Sequence, residues 1–337
     1  MILDGHDPAA VAQAADILAA GGLLGMPTET VYGLAADATR ADAVAAIFAA
    51  KGRPSDHPLI VHVAPAGPGQ AMPPGVDHFA VDVPAFAQRL IAACWPGPLT
   101  LILPRRPGVA TASAGGHATI GLRCPSHPVA QALLAACAAR GVAGVSAPSA
   151  NQFGRVSPTT AAHVAAEFDA GLAVLDGGPC AVGIESTIID CSRGVPVLLR
   201  PGAVTRTQVE AACGMALVEP DALDAPSPQA SGTLEAHYAP RAKVRLMNAK
   251  ALQTGLDLLG PEAAHLAVYA RAEVVPRSAR VLVRRMPDDA EAAAQQLFAA
   301  LRSFDDQGVR LIWIETPPDT PAWEGVHDRL RRAAASA

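Results

Sequence analysis

"KGRPSDHPLIVHV", residues Lys51 to Val63, closes one kind of structure and opens another. The segment leading into it, "TRADAVAAIFAAKGR", carries Val44, Ile47 and Phe48 on one helical face and puts Lys51 in the last turn, where the helix dipole favours a cation. "LIVHV" is a short apolar run of the kind that forms a strand buried on both faces. A helix running straight into a buried strand is the repeating step of an α/β sheet. The same stretch sets Lys51, Arg53, His57 and His62 within twelve residues. A solvated helix end explains such a group blandly; an anionic ligand held ahead of a rigid strand explains it more sharply.

Outward from there the alternation continues from residue 8 to about 218. "AAVAQAADILAAGG" reads as an Ala-rich helix closed by Gly21 and Gly22. "LLGMP", "LTLIL", "ATIGLR", "GVAGVSA", "STIID" and "PVLLR" read as strands, several of them continuously apolar, which suits a sheet of parallel character. In "ATIGLR" alternation sends Thr119, Gly121 and Arg123 to one face and Ile120 and Leu122 to the other, like the floor of a site. Glu219 to Ala236 is rich in Pro, Ser, Ala and Asp without apolar period, and reads as a linker. Beyond it "KVRLM", "HLAVYA", "ARVLVRRM" and "GVRLIWIE" are strand-like, with helical stretches around 249–259, 288–303 and 321–334. The organisation expected is an α/β domain over 1–218, a linker over 219–241 and a small α/β domain over 242–337.

Composition narrows the function. The chain has 337 residues, half of them hydrophobic, and a formal net charge of −5, which argues against nucleic-acid binding through overall positive charge. Six cysteines without a CxxC pair read as reduced thiols and suggest the cytosol. "MILDGHDPAA" lacks the features of a signal peptide, and no run approaches the ~20 apolar residues that span a bilayer, so a cytoplasmic protein without membrane contact is expected. There is no GxxxxGK[ST] loop, no GxGxxG after a strand, no HExxH and no GxSxG; no metal ligands are expected from the protein. Polar residues gather instead at strand ends: Thr28, Glu29, Thr30 and Tyr32; Ser146, Ser149, Asn151 and Arg155; Glu185, Ser186 and Thr187; and Arg200. Ligands of open α/β sheets collect there, and the cations Lys51, Arg53, Arg123, Arg155 and Arg200 suit a polyanion such as a nucleoside triphosphate.

In order, "PTETVYGLAAD", "KGRP…HPLIVHV", "WPGPLTLIL", "TIGLRCP", "APSANQFGRVSPT", "IESTIID" and "LLRPG" resemble the YrdC-domain threonylcarbamoyl-AMP synthases over roughly residues 8–205. The linker ending "HYAP" and the unit after it resemble the two-domain form. The resemblance implies a twisted α/β sheet with a large concave site and a Rossmann-like C-terminal domain. It also implies a reaction: L-threonine, bicarbonate and ATP give threonylcarbamoyl-AMP and pyrophosphate. A separate complex then passes the group to an adenosine beside the anticodon of tRNA.

By motif, the resemblance assigns threonine to Thr30, His62, Arg123, Ser146 and Ser186. It assigns ATP to Arg53, His57, Thr119, Ala147, Ser149, Asn151, Arg155, Arg200 and, from the linker, Tyr238. Lys51 and Arg53 would neutralise charge on the triphosphate and on the attacking carbamate. Magnesium is expected on the phosphates of ATP, and a weak contact with tRNA is compatible with the reading. Two departures stand out: His57 takes a place where Asn is usual, and Gly232 to Glu235 replaces a common Gly-Met-Lys sequence. A carbamoyl-adenylate-forming enzyme of the hydrogenase-maturation type would carry CxxC pairs and an acylphosphatase-like segment, neither of which is present. A non-catalytic RNA-binding module on the same fold would not need the full set of motif residues.

Overall fold

The computed structural model describes residues 1–223, 227–232 and 237–335. Thr233, Leu234 and Glu235 of the variant linker sequence lie outside the described residues. The chain divides into two compact units. The first comprises Met1–Phe153 and Ser157–Thr233, most of the linker included; the second comprises Gly154–Val156 and Leu234–Ala337.

The first unit is built on a ten-stranded sheet. Its strands are β1 (Ile2–Asp4), β2 (Leu24–Met26), β3 (Gly33–Asp37), β4 (Ile60–His62), β5 (Leu99–Pro104), β6 (Thr119–Arg123), β7 (Val145–Ser146), β8 (Ala173–Asp176), β9 (Thr187–Asp190) and β10 (Val197–Arg200). They lie side by side as β1-β8-β2-β3-β7-β4-β6-β5-β9-β10. The sheet is mixed rather than parallel. β1/β8, β2/β8, β4/β6 and β5/β9 pair in parallel, whereas β2/β3, β3/β7, β4/β7, β5/β6 and β9/β10 are antiparallel. The short links β2–β3 and β9–β10 leave no room for a crossover, and neighbours joined that way must run antiparallel.

The two halves of this sheet are covered differently. In the half containing β1, β8, β2, β3 and β7, one face packs Leu24, Met26, Ala35 and Val145 on helices Pro8–Ala19 and Pro128–Ala138. Its other face packs Leu34, Ala36 and Val174 on helices Ala41–Lys51 and Ala161–Glu167. In the half containing β4, β6, β5 and β9, Val61, Leu101, Leu122 and Ile189 join the apolar cluster of helices Pro74–Phe79 and Ala85–Cys94. The opposite face of that half holds the concavity. Register sets Ile60 and Ile102 beside Gly121, and Thr100 beside Ile188. Those residues line a pocket whose far wall is linker residues Gln229 to Ser231.

Helix Ala41–Lys51 ends on Gly52 in the left-handed region at φ 61°, where a side chain would be strained, and this reversal aims the chain back toward β4.

The second unit has four parallel strands, β11 (Lys243–Met247), β12 (Leu266–Ala270), β13 (Leu282–Arg285) and β14 (Leu311–Glu315), in the order β11-β14-β12-β13. Helices Ala249–Leu259, Ala290–Asp306 and Glu324–Ala334 complete the Rossmann-like alternation. This unit also draws on Gly154–Val156. Ala239 N donates to Gly154 O at 2.9 Å, Arg155 bridges to Ala239 in parallel, and Arg302 donates to Val156 O.

Candidate active site

The concave face owes its chemistry to strand alternation. On β6, Ile120 and Leu122 go to the core while Thr119, Gly121 and Arg123 share the opposite face. Arg123 is almost fully buried, and its guanidinium is fixed on three sides. Nη2 pairs with Glu29 Oε1 at 2.6 Å, Nη1 donates to Thr30 Oγ1 at 2.8 Å, and Nε donates to Gly97 O at 3.3 Å. Glu29 is held in turn by the N–H of Ser126, at 3.2 Å. Thr28 ties the turn together, with its hydroxyl 2.8 Å from Thr30 Oγ1 and donating to Val31 O at 2.6 Å. The result is an oriented guanidinium on a rigid strand.

His62 is the register partner of Arg123 on β4. Burial, and next the positive charge of Arg123, push its imidazole down to about 3, so it is neutral at physiological pH. Its Nδ1 makes no hydrogen bond of good geometry among the described residues, although the backbone of Ile60 and of Val145 interacts with the ring and offsets part of the downward push. A buried imidazole nitrogen left open beside a fixed guanidinium is a recognition feature, because an unmet polar atom in the interior is costly.

A second cluster sits where β5, β9 and β10 meet. Thr100 Oγ1 and Ser186 Oγ are 2.7 Å apart. Arg200 reaches Ser186 O through Nε and Nη2, at 3.1 and 2.9 Å, and Ser231 O through Nη1 at 2.8 Å. Ser157 donates to Glu185 Oε1 alongside.

Lys51 differs from the exposed helix-end cation that its position suggests. It is 2% exposed, and Nζ donates to Ser149 O at 2.5 Å and to Asn151 O, so it holds the "SAPSAN" loop to helix Ala41–Lys51. Burial, with the neighbouring charge of Arg53, lowers its ammonium to about 7. Arg53 Nη2 donates to Pro58 O at 3.0 Å, across the turn that precedes β4.

The remaining expected residues fall in several places. Thr119 opens β6 on the concave face, and Ala147 N donates to Ile60 O at 3.0 Å. Ser146 Oγ is used internally, donating to Ser113 Oγ at 2.8 Å. His57 stacks edge-on to Phe153 with ring centroids 5.8 Å apart. Arg155 and Tyr238 belong to the second unit. There Tyr238 is buried, 5.5 Å from the ring of Phe298 and with the Arg329 guanidinium 5.3 Å from its own ring. Glu29 and Thr100 were not among the expected ligand-binding residues, yet they orient Arg123 and Ser186. Only the polar character of Glu29 within "PTETVYG" hinted at this.

A sheet face with a buried guanidinium, an open imidazole nitrogen, paired hydroxyls and a loop clamped by lysine defines a binding site for a small polar, anionic substrate in an α/β protein. Residues 16–202 match the Sua5/YciO/YrdC family profile, described as telomere recombination, and residues 204–335 match the threonylcarbamoyl-AMP synthase C-terminal domain. The chain belongs to the Sua5/YciO/YrdC family in its two-domain form. It is 37% identical over 339 residues to the threonylcarbamoyl-AMP synthase of Bacillus subtilis (strain 168), covering 98% of this chain and 94% of the relative. It is 35% identical over 330 residues to that of Pyrococcus abyssi (strain GE5 / Orsay), covering 95% and 93%. It superposes on the crystal structure of P. abyssi Sua5 complexed with L-threonine with a TM-score of 0.86 and 33% identity, covering 100% of this chain and 98% of that one.

Proposed function

We propose that this chain makes threonylcarbamoyl-AMP and pyrophosphate from L-threonine, bicarbonate and ATP, as the nucleotidyltransferase of a tRNA modification. The observation that carries the residue-level reading is the pairing of Arg123 with a neutral His62 whose Nδ1 is open, beside the hydroxyl of Thr30. Arg123 takes the threonine carboxylate, while Thr30, Ser186 and His62 meet its polar groups. Ser146, whose hydroxyl donates to Ser113 Oγ, completes the set. Arg53, His57, Thr119, Ala147, Ser149, Asn151 and Arg200 bind ATP.

The threonine amine attacks the carbon of carbon dioxide, releasing a proton to solvent, or that of bicarbonate, releasing water, and the new C–N bond gives a carbamate. A carbamate oxygen attacks the α-phosphorus, and the bond to the β-phosphate oxygen breaks to release pyrophosphate. No covalent intermediate on the protein is required, so orientation and charge stabilisation supply the rate. Lys51 acts by fixing the loop of Ser149 and Asn151, and Arg53 by offsetting phosphate charge. Among the described residues no three His, Cys, Asp or Glu side chains gather to hold a metal ion. Magnesium would arrive on the phosphates of ATP, and no step here depends on it. Product passes to a tRNA threonylcarbamoyl-transferase complex. A cytoplasmic setting fits six cysteines that all stay free.

The experiment incubates protein with ATP, magnesium, bicarbonate and L-threonine, following pyrophosphate release and the adenylate by mass spectrometry, with each substrate omitted in turn. Product requiring all three supports the reading. ATP bound by folded protein without any product overturns it.

A further inference from the structure

Charge is unevenly divided along the chain. Residues 1–240 hold 12 Lys and Arg against 19 Asp and Glu, a net of −7, whereas residues 241–337 hold 14 against 12, a net of +2. Within the second unit most arginines are matched. Arg271 pairs with Glu315, Arg277 with Asp257, Arg280 with Glu262, Arg285 with Asp288, and Arg329, Arg331 and Arg332 with Asp328.

Lys250 and Arg284 stand singly without an ion pair among the described residues, and three further cations without one lie together. Strand β11 is an edge strand, bonded only to β14 among the described residues. Arg241, just before it, and Lys243 and Arg245 within it are all exposed, while the intervening Ala242 and Val244 are buried. None of the three cations has an ion pair among the described residues. Arg310, whose carbonyl accepts the N–H of Lys243 at 3.0 Å, is a fourth exposed cation at the same end. The acid nearest in the bonding pattern, Asp305, faces the backbone and accepts the N–H groups of Arg241 and Ala242 at 2.7 and 3.0 Å.

Alternate residues of a strand recur about every 6.6 Å on one side, so these cations form a line and do not converge. A compact anion such as free pyrophosphate needs cations that converge on it; a line of them suits a linear polyanion. Edge-strand cations also deter pairing between copies of a sheet, the bland explanation. That role needs one or two charges and does not require freedom from every carboxylate.

We infer that the row Arg241, Lys243 and Arg245 on the β11 edge is a docking surface for the phosphate backbone of RNA, specifically tRNA. The choice of RNA over an acidic protein rests on the proposed place of this enzyme in tRNA modification. Contacts of this kind are sequence-independent and weaken with salt.

The test uses the full chain and the triple variant R241Q/K243Q/R245Q, with an unmodified tRNA transcript as the probe, fluorescence anisotropy over a range of salt, and pyrophosphate release in parallel. With roughly three phosphates neutralised, the slope of log K against log salt should be about −2 to −3 for the native chain and should fall toward zero in the variant. Affinity at low salt should drop at least ~10-fold, since each phosphate contact carries its own salt-dependent increment. Pyrophosphate release should be unchanged. Equal affinity and slope in the two proteins overturn the inference. So does a variant that self-associates while binding tRNA as before, which would assign the row to edge protection. An inactive native chain that still shows the expected slope would refute the proposed reaction but leave the RNA surface standing.

Discussion

Replacing Arg123 by Met removes the guanidinium but keeps most of the volume, and leaves Glu29 buried opposite an apolar side chain. The pair is 5% and 8% exposed at its two side chains and 2.6 Å apart at the contacting atoms. Charge centres about 4 Å apart attract by ~4 kcal/mol at an effective dielectric of ~20. Stranding one buried partner typically costs ~3–5 kcal/mol, because the survivor keeps its desolvation penalty without compensation. The loss of the bonds to Thr30 and Gly97 falls on the same side of the balance. Replacing both partners, as E29L/R123M, removes the stranded charge, so the double change should cost less than either single change. A coupling of at least ~2 kcal/mol is expected, within the range found for residues in direct contact. Hydrogen exchange read at the β6 amides reports the local free energy in each protein, independently of the second unit. Single changes costing under ~1 kcal/mol, against the ~3–5 expected, or costs that simply add, would refute the view of this pair as the support of the site.

Other expectations follow from the same geometry. K51M deprives two carbonyls of their donor, at ~1–3 kcal/mol each, and should lower both stability in urea and pyrophosphate release. Because the folded ammonium lies at about 7, below its ordinary 10.5, the unfolded chain binds the extra proton between these values, so native stability should rise with pH across that window; in K51M denaturation midpoints should lose the rise. H62Q should lower kcat/KM without altering the shape of its profile between about pH 5 and 8, since the imidazole is held neutral far above its value of about 3. G121A should fold normally, the new Cβ lying 3.6 Å from Ile60 and Thr100, yet raise KM for ATP by placing a methyl on the pocket floor; an unchanged KM would remove the nucleotide from that face.

Elements with strong period were readable in the chain. "LTLIL", "ATIGLR" and "STIID" are strands close to the expected limits, and the face assigned to Thr119, Gly121 and Arg123 is the concave one. Strands β1, β3 and β8 carry little β-branched or aromatic character, "GLAAD" above all, and only their neighbours in the sheet make them strands. The mixed order of the sheet and the pairing of Glu29 with Arg123 join distant segments, which no local pattern announces. The clamp made by Lys51 is illegible in the sequence for a related reason. The helix dipole accounts for a cation in a last turn but does not reveal that a loop about 100 residues later will fold over it.

The use of Gly154–Val156 by the second unit bears on how the protein can be dissected. A fragment beginning at His237 would lack the carbonyls of Gly154 and Val156, and with them the acceptors for Ala239 N and the Arg302 guanidinium. Cutting the gene at the linker therefore does not yield a complete C-terminal half. A faithful one would have to carry an added segment equivalent to residues 154–156, supplied as a fused peptide or in trans.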